Sequence, residues 1–308
     1  MKLDNKSLFF IKTLDFQKIV NTPIMGIAAQ FWDNDRFNGS KICYKSMRII
    51  DDLVDNRKII GNKIPNIEKK EILAKMDSYM INNRKIQNRF QKDLLTTTEK
   101  FQIPLWPWKK FSKAMIYDLN NDSFKTFYDF IKYSEGAAVA PASIFMHFCG
   151  IKKNKKEYIS PNYDIQKAAR PIALFAYLVH IIRDFQKDQK NNLNYFAKDI
   201  MIQNKLTTKK LKDIANGVKI NNEFRNMMKK YYNYTNSYRK KAEQMVNSTS
   251  VHLEPRYQIS LKIIYDLYNQ IFDKIDITNG EFTTKELNPS TKEVKNRIKM
   301  TISSFKKY

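Results

Sequence analysis

Two stretches of this chain, RIIDDLVDN (48–56) and HIIRDFQKD (180–188), decide how it is read. Asp51 and Asp55 are four apart in the first, and Asp52 adjoins them; Asp184 and Asp188 are four apart in the second. Residues four apart share one face of a helix, about one turn from each other. Both pairs border apolar helical runs, where a carboxylate is costly to desolvate unless it is paired or metal-bound. Arg48 and Arg183 are close enough in sequence to pair with them, which is the purely structural alternative. Nearly identical surroundings at two distant places favour the other reading, two acid pairs facing each other across a bundle. Such a cage would hold roughly two or three Mg²⁺ ions, a cation usually bound by one or two carboxylates, waters and substrate phosphates.

The flanking sequence supports helices. Tyr44, Met47, Ile50 and Val54 form an apolar stripe in a helix expected over 35–56, with Tyr44, Arg48, Asp51 and Asp55 beside it. A basic amphipathic helix is expected over 67–90, and a long apolar helix over 123–150. The latter contains GAAVAPAS (136–143), whose Pro141 predicts a kink. Its small residues let either a neighbouring helix or a ligand come close. A helix over 163–188 carries Leu174, Leu178, Ile181 and Phe185 on one stripe and Tyr177, His180, Asp184 and Asp188 on the next. Pro171 within it requires a kink or a late start. Residues 191–199 read as a polar loop, followed by helices near 206–216, 221–247, 256–276 and 290–305. Trp106 and Trp108 are expected to anchor packing. With only 7 Gly among 308 residues and no alternating strand pattern, the chain reads as a single all-α domain over 1–308, with its core about 20–300.

The formal charge is +24. Heavy joint use of Lys, Asn and Ile accounts for much of it as a compositional bias. An anionic partner remains the alternative. Lysines are spread along the chain without a basic-aromatic motif, which argues against nucleic acid. Cys43 and Cys149 lack CxxC spacing and read as buried thiols. His147, His180 and His252 form no zinc pattern. The apolar patch at Leu8–Ile11 is too short for a signal-peptide core. The run 171–182 falls short of the ~20 residues that span a bilayer. A cytoplasmic protein is expected, able to rest on the inner membrane face.

Metal-bound diphosphate in an apolar bundle suggests ionisation chemistry. Mg²⁺ neutralises the leaving diphosphate, and an apolar pocket keeps water from the resulting carbocation.

The motifs also carry a resemblance. YKSMRIIDDLVD (44–55) resembles the first aspartate motif of the squalene/phytoene synthase family, and HIIRDFQKD (180–188) the second. YSEGAAVAPA (133–142) lies where the family has a Tyr before a Gly/Ala-rich stretch, and IYDLYNQIFDKI (264–275) resembles its late helix with a ligand-facing Tyr. The resemblance runs in order from about 20 to 300. It implies an isoprenoid-synthase helical bundle with a central cavity, and Mg²⁺-dependent head-to-head joining of two prenyl diphosphates. The substrates would be farnesyl or geranylgeranyl diphosphate, joined through a cyclopropyl diphosphate to squalene, dehydrosqualene or phytoene.

By motif, Asp51, Asp52, Asp55, Asp184 and Asp188 would bind Mg²⁺, with Asp52 and Asp184 central to catalysis. Arg48 and Arg183 would grip diphosphate. Tyr133 would sit beside the departing diphosphate and assist proton removal, and Tyr44 and Tyr265 would add contacts. His180 and Tyr177 stand where the family has Asn and Gln, at positions facing diphosphate. The family's Ser-Phe pair is not evident near Ile24–Met25, and its Gly-rich stretch reads Val139-Ala140-Pro141 here. Reduction to squalene would need NADPH. The chain has no GxGxxG fingerprint, but the resemblance implies no such domain even in members that use NADPH. A terpene cyclase on the same bundle, or a non-catalytic homologue, are the alternatives.

Overall fold

The computed structural model describes residues 23–61, 63–81, 86, 88–155 and 157–306. The patch at Leu8–Ile11 lies outside them. Short α1 (Ile24–Ala29) leads into α2 (Asn34–Ile59), which carries the first acid motif. Asp33 starts α2 by accepting a hydrogen bond from the Arg36 backbone N–H at 3.0 Å. Arg57 and Lys58 in its last turn favour the negative end of the helix dipole. Gly61, at φ +79°, lets the chain leave in a left-handed turn. The buried residues Gly39, Cys43, Ser46, Met47, Ile50 and Val54 trace one helical stripe. The opposite edge of that stripe is the row of aspartates.

The helix expected over 67–90 is shorter, α3 (Asn66–Asp77), and the chain then turns at 78–80. Asn88 caps a new helix, α4 (Arg89–Lys100), by accepting from the Gln91 N–H at 2.9 Å. Helix propensity across 67–90 gave no warning of this break. α5 (Trp106–Asn120) follows, with Trp108 buried and its Nε1–H donating to Ser46 Oγ at 3.1 Å.

The long helix expected over 123–150 is three segments in line. A Thr126–Asp129 capping box opens α6 (Phe127–Ser134), a π-helical turn spans 135–139, and α7 (Ala140–Gly150) continues. Pro141 has no N–H for the carbonyl one turn back, and the wider turn lies directly before it. Gly136 sits inside this turn against α5, where an added Cβ would collide with the Lys110 carbonyl oxygen and lie 2.8 Å from Ala114 Cβ. The small residues therefore serve both purposes: Gly136 lets α5 close in, while Ala137, Ala138, Pro141 and Ala142 line a cavity on the other side.

A two-stranded hairpin, β1 (Lys152–Asn154) and β2 (Glu157–Ile159), interrupts the helices with Lys153 opposite Tyr158. Three residues a side are too few to show a period in sequence. Asp164 then caps α8 (Ile165–Arg183), which runs through Pro171 without a late start. α9 (Phe185–Lys190) continues after a break at Asp184. α8 is the central element, packed against α7, the π turn, α12 (Asn222–Ser250) and α13 (Pro255–Phe272). It is also the one described helix long and apolar enough to cross a membrane, but 61% of that window is buried within the protein. The loop expected over 191–199 ends in a short helix, α10 (Lys198–Gln203). α11 (Thr208–Ala215), α14 (Thr284–Leu287) and α15 (Thr291–Ser304) complete the bundle. Cys43 and Cys149 are buried free thiols, with pKa values pushed up by desolvation.

The close approach at Gly136 is testable. Gly136→Val should cost about 1–3 kcal/mol, the usual penalty for overpacking a filled core, read as a lower urea midpoint at unchanged slope. An unchanged midpoint would mean that α5 and the π turn are not in contact.

Candidate active site

α2 and the α8–α9 junction face each other across a cavity of about 470 Å³. Arg48, Asp51, Asp52 and Asp55 line it from α2, and Tyr177, His180, Asp184 and Asp188 from the other wall. Tyr133 enters from α6. Asn192, just past α9, donates from Nδ2 to the Ile59 carbonyl at 2.9 Å and ties the ends of the two acidic helices together. A narrower lobe of about 220 Å³ opens beside Arg48 and Asp51. It is walled by Met25, Trp32, Met47, Phe111 and Phe145, with Tyr44 at its edge. One chamber is thus charged, and the other is apolar.

Nine of the twelve residues singled out from sequence line the charged chamber, and Tyr44 lies in its apolar neighbour. Two are elsewhere. Arg183 holds Asp184 from behind, donating from Nε to Oδ1 at 2.7 Å and from Nη2 to Oδ2 at 2.8 Å. Tyr265 is buried against Phe175 and interacts with Asn269, off the cavity. Tyr268, one turn further along α13, lines the chamber in its place. Both tyrosines lie on one side of the helix, and spacing alone cannot choose between them.

Like charges crowd this chamber. Desolvation, followed by repulsion from Asp55, pushes Asp51 up to about 7, against an opposing pull from Arg48. Asp55 is pushed up to about 6 by desolvation and the Asp118 carboxylate. Asp188 is pushed up to about 7 by desolvation and Asp184. Asp51 keeps a third of its surface exposed, but that surface faces a walled chamber.

Asp184 is the opposite case. Burial would raise its pKa, but hydrogen bonds from Arg183 and His180 outweigh burial and hold it well below the usual carboxylate range. His180 Nε2 lies 2.7 Å from Asp184 Oδ2. His180 keeps 46% of its side chain exposed, but toward the chamber, whose walls desolvate the ring and lower its pKa; it is therefore neutral near pH 7 and Nε2–H is the donor. Arg48 bridges Asp51 at 3.3 Å and Asp52 at 2.6 Å.

Among the described residues, no three His, Cys, Asp or Glu side chains converge into a ready-made metal cage. The two facing acid pairs expected to cage Mg²⁺ are therefore not already gathered around one point. Asp52 and Asp184 turn instead to guanidinium groups. The donor set still suits Mg²⁺, which needs only one or two carboxylates when diphosphate and water complete its shell. Ion pairs among the described residues leave Asp55 and Asp188 unmatched. A divalent cation would relieve the charge that raises their pKa values.

Sequence reasoning missed four groups here. Lys187 and Tyr195 line the chamber. Lys187 follows Asp184 by three residues and was legible from helical spacing; Tyr195 lies in a loop and left no signal. Behind Tyr133 stand Asp118 on α5 and Lys58 on α2. Tyr133 Oη donates to Asp118 Oδ2, and Lys58 Nζ donates to Asp118 Oδ1 at 2.9 Å and to the Asn121 carbonyl at 3.3 Å. Burial, then neighbouring negative charge, raises Tyr133, Tyr177 and Tyr195 well above the ordinary phenol value, so all three keep their protons.

The squalene/phytoene synthase family model matches residues 29–294. The chain belongs to that family. No curated protein sequence matches it. Solved structures of this all-α fold do. A dehydrosqualene synthase in complex with ligand superposes with a TM-score of 0.60 at 15% identity, covering 96% of this chain and 99% of that one. The squalene synthase HpnC from Alicyclobacillus acidocaldarius gives 0.61 at 11% identity, covering 85% and 91%. YisP from Bacillus subtilis subsp. subtilis strain 168 gives 0.59 at 14% identity, covering 96% and 98%. At these identities the likeness is one of fold. The squalene/phytoene synthase bundle and the acid-lined chamber thus belong to the same stretch of chain.

The crowded carboxylates make a pH prediction. Asp51, Asp55 and Asp188 have folded pKa values above the ordinary 3.8. Folding therefore takes up protons between about 4 and about 7, and this part of the stability declines as pH rises through that window. Asp51→Asn should match the parent's melting temperature near pH 4 and exceed it by pH 8. Mg²⁺ with inorganic diphosphate should raise the parent's melting temperature most at pH 8. A pH-independent gap between variant and parent would refute the repulsion.

Proposed function

We propose that this protein is a prenyltransferase that joins two prenyl diphosphates head to head, with Mg²⁺. The observation that carries the proposal is the pair of cavities, an acid-lined chamber between two facing helices and an apolar lobe that shares Arg48, Asp51 and Phe145 with it. Family membership supports condensation of this general kind. Farnesyl or geranylgeranyl diphosphate is the substrate class, and the product is squalene, dehydrosqualene or phytoene by way of a cyclopropyl diphosphate.

In this reading Asp51, Asp55 and Asp188 hold the metal, with Asp52 and Asp184 at its margin. Bound Mg²⁺ supplies the Lewis acidity that stabilises departing diphosphate. The chain's own groups do the rest. Arg48 and Lys187 are the cavity cations placed to hold diphosphate. Three protonated phenols, Tyr133, Tyr177 and Tyr195, present neutral polar groups to it. Tyr268 lies beside Arg183 and Asp184 and adds a fourth. The Met and Phe side chains of the lobe exclude water from a prenyl chain whose cation would otherwise be captured as an alcohol. Arg183 and His180 keep Asp184 ionised and fixed. NADPH is needed only if the product is squalene. In this reading the enzyme is cytoplasmic, and its +24 formal charge favours reversible attraction to anionic lipid at the inner membrane face, where its substrates and products partition.

The test is incubation of purified protein with each diphosphate and Mg²⁺, with and without NADPH, followed by mass analysis of the lipid extract. A C30 or C40 hydrocarbon, or its cyclopropyl precursor, should form and should fall about a hundred-fold or more in Asp55→Asn and Asp188→Asn. Asp52→Asn and Asp184→Asn should lose activity as well. A cyclised product from one diphosphate would assign a terpene cyclase instead, and no turnover by folded protein would assign a non-catalytic homologue.

A further inference from the structure

Ile259, Ile263 and Leu267, four apart, form one apolar stripe along α13. α1 covers that stripe with Ile27 and, in the turn after it, Phe31; α15 covers it with Ile298. All six side chains are fully buried and make a small core of their own, separate from the main one. Most of α1 and α15 lies beyond the family match over 29–294, and the proposed function gives α15 no role. The other face of α1 belongs to the site. Met25 and Ala29 line the apolar lobe, and Met25 also lines the charged chamber. Ile24 packs against both cores. A helix of six residues does not hold itself; its position is set by what it packs on. Hydrogen bonds fix its C-terminal end: Trp32 Nε1 donates to Ser260 Oγ at 2.9 Å, Ser260 Oγ to the Ala28 carbonyl at 2.8 Å, and Arg256 Nε to the Phe31 carbonyl at 3.0 Å. Pro23, at the other end, supplies no side-chain cap, so the turn that carries Met25 depends on apolar packing. α15 is itself held in register on α13. A Ser290–Glu293 capping box starts it, Lys274 Nζ lies 2.8 Å from Glu293 Oε1, and Thr301 Oγ1 donates to Asp266 Oδ2 at 2.7 Å.

We propose that α15 is a positioning element for the apolar lobe: Ile298 completes the small core on α13 that holds α1, and with it Met25, against the two cavities. Ile298 touches neither cavity and acts through α1. The consequence for chemistry rests on the head-to-head reading. A prenyl cation in the lobe reaches its second substrate only while water is kept out. Where water enters, it adds to the cation and loses a proton, and the prenyl alcohol is the product. Loosening the small core shifts Met25 and lets water in from the side of α1. The diphosphate end is left as it was, because the aspartates stand on α2 and at the α8–α9 junction. Ionisation and water exclusion thus depend on different elements, and a change in α15 separates them.

The two cysteines report on this wall without any substrate. Cys43 lines the lobe, Cys149 lines neither cavity, and both are buried. The full chain is alkylated with a small maleimide, and each thiol is followed by peptide mass. Ile298→Ala should label Cys43 about ten-fold faster than the parent and leave Cys149 unchanged, as a local opening does. Ile298→Val, a much smaller cut, should stay near the parent. Met300→Ala, on the exposed side of α15, should match it. Met228→Ala, in the main core on α12, should lower the melting temperature without parting the two thiols. With farnesyl or geranylgeranyl diphosphate and Mg²⁺, Ile298→Ala should release diphosphate near the parental rate while the alcohol share of the lipid product rises several-fold. Should Ile298→Ala fail to fold, Ile302→Ala, at the edge of the same cluster, takes its place. Equal labelling of both thiols, or no faster labelling of Cys43, in folded protein would overturn the proposal, as would an unchanged alcohol share. A parent that makes no condensed product would overturn the head-to-head reading, and the labelling would still decide whether α15 holds α1 in place.

Discussion

Mutual repulsion among carboxylates that face one another across the chamber is the constraint on which this molecule depends. Five aspartates on two helical walls would drive those walls apart if nothing answered their charge. Two answers are built in. Arg48 bridges Asp51 and Asp52, and Arg183 with His180 clamps Asp184. The remaining charge, on Asp55 and Asp188, has no such answer among the described ion pairs, and burial raises both carboxyls. The site is thus poised to gain from any cation that can share those two groups. A site that matched every charge internally would have less reason to bind metal.

The scaffold concentrates its irregularities where the chamber needs them. The π-helical turn, Gly136 and Pro141 lie together in the wall between α5 and the cavity. Across it, α5 seats against the Gly136 backbone on one side while Ala137, Ala138 and Ala142 line the chamber on the other. The break at Asp184 acts similarly. Its backbone leaves helical geometry, yet Asp184 N–H still reaches the His180 carbonyl and Asp188 N–H the Asp184 carbonyl. The second acid motif therefore keeps helical spacing while its first aspartate is turned into the double grip of Arg183.

Helical periodicity made much of this legible. The stripe from Tyr44 to Asp55 predicted both the buried face of α2 and its acidic edge, because a 3.6-residue period leaves few other ways to bury Met47, Ile50 and Val54. The same argument placed His180, Asp184 and Asp188 on one wall, and by its own logic it should have included Lys187. Periodicity failed where a single helix bears two equivalent residues, as with Tyr265 and Tyr268. It failed again where contact depends on distant elements. Nothing near Asp118 in sequence points to Tyr133 or Lys58; only the packing of α2, α5 and α6 brings the three together. The hairpin at 152–159 and the break after Asp77 were invisible because short elements and turn residues carry too little pattern.

His180 stands where the motif resemblance leads one to expect Asn, and the same electrostatics bear on what it does there. An Asn amide at this position offers a neutral N–H donor. A charged imidazolium would offer a different group, adding a cation to a wall that already holds Arg183 and Lys187. Burial removes that difference, since it lowers the pKa of His180 and leaves a neutral ring donating to Asp184. A neutral His180 thus offers an N–H donor, as an Asn amide would. His180 is held by Asp184 through one ring nitrogen, leaving the other as an acceptor, where an Asn would offer its amide oxygen. Tyr177, one turn earlier on the same wall, brings a protonated phenol where the family has an amide. The two departures thus alter the donors and acceptors around bound substrate while leaving the carboxylates on both walls in place.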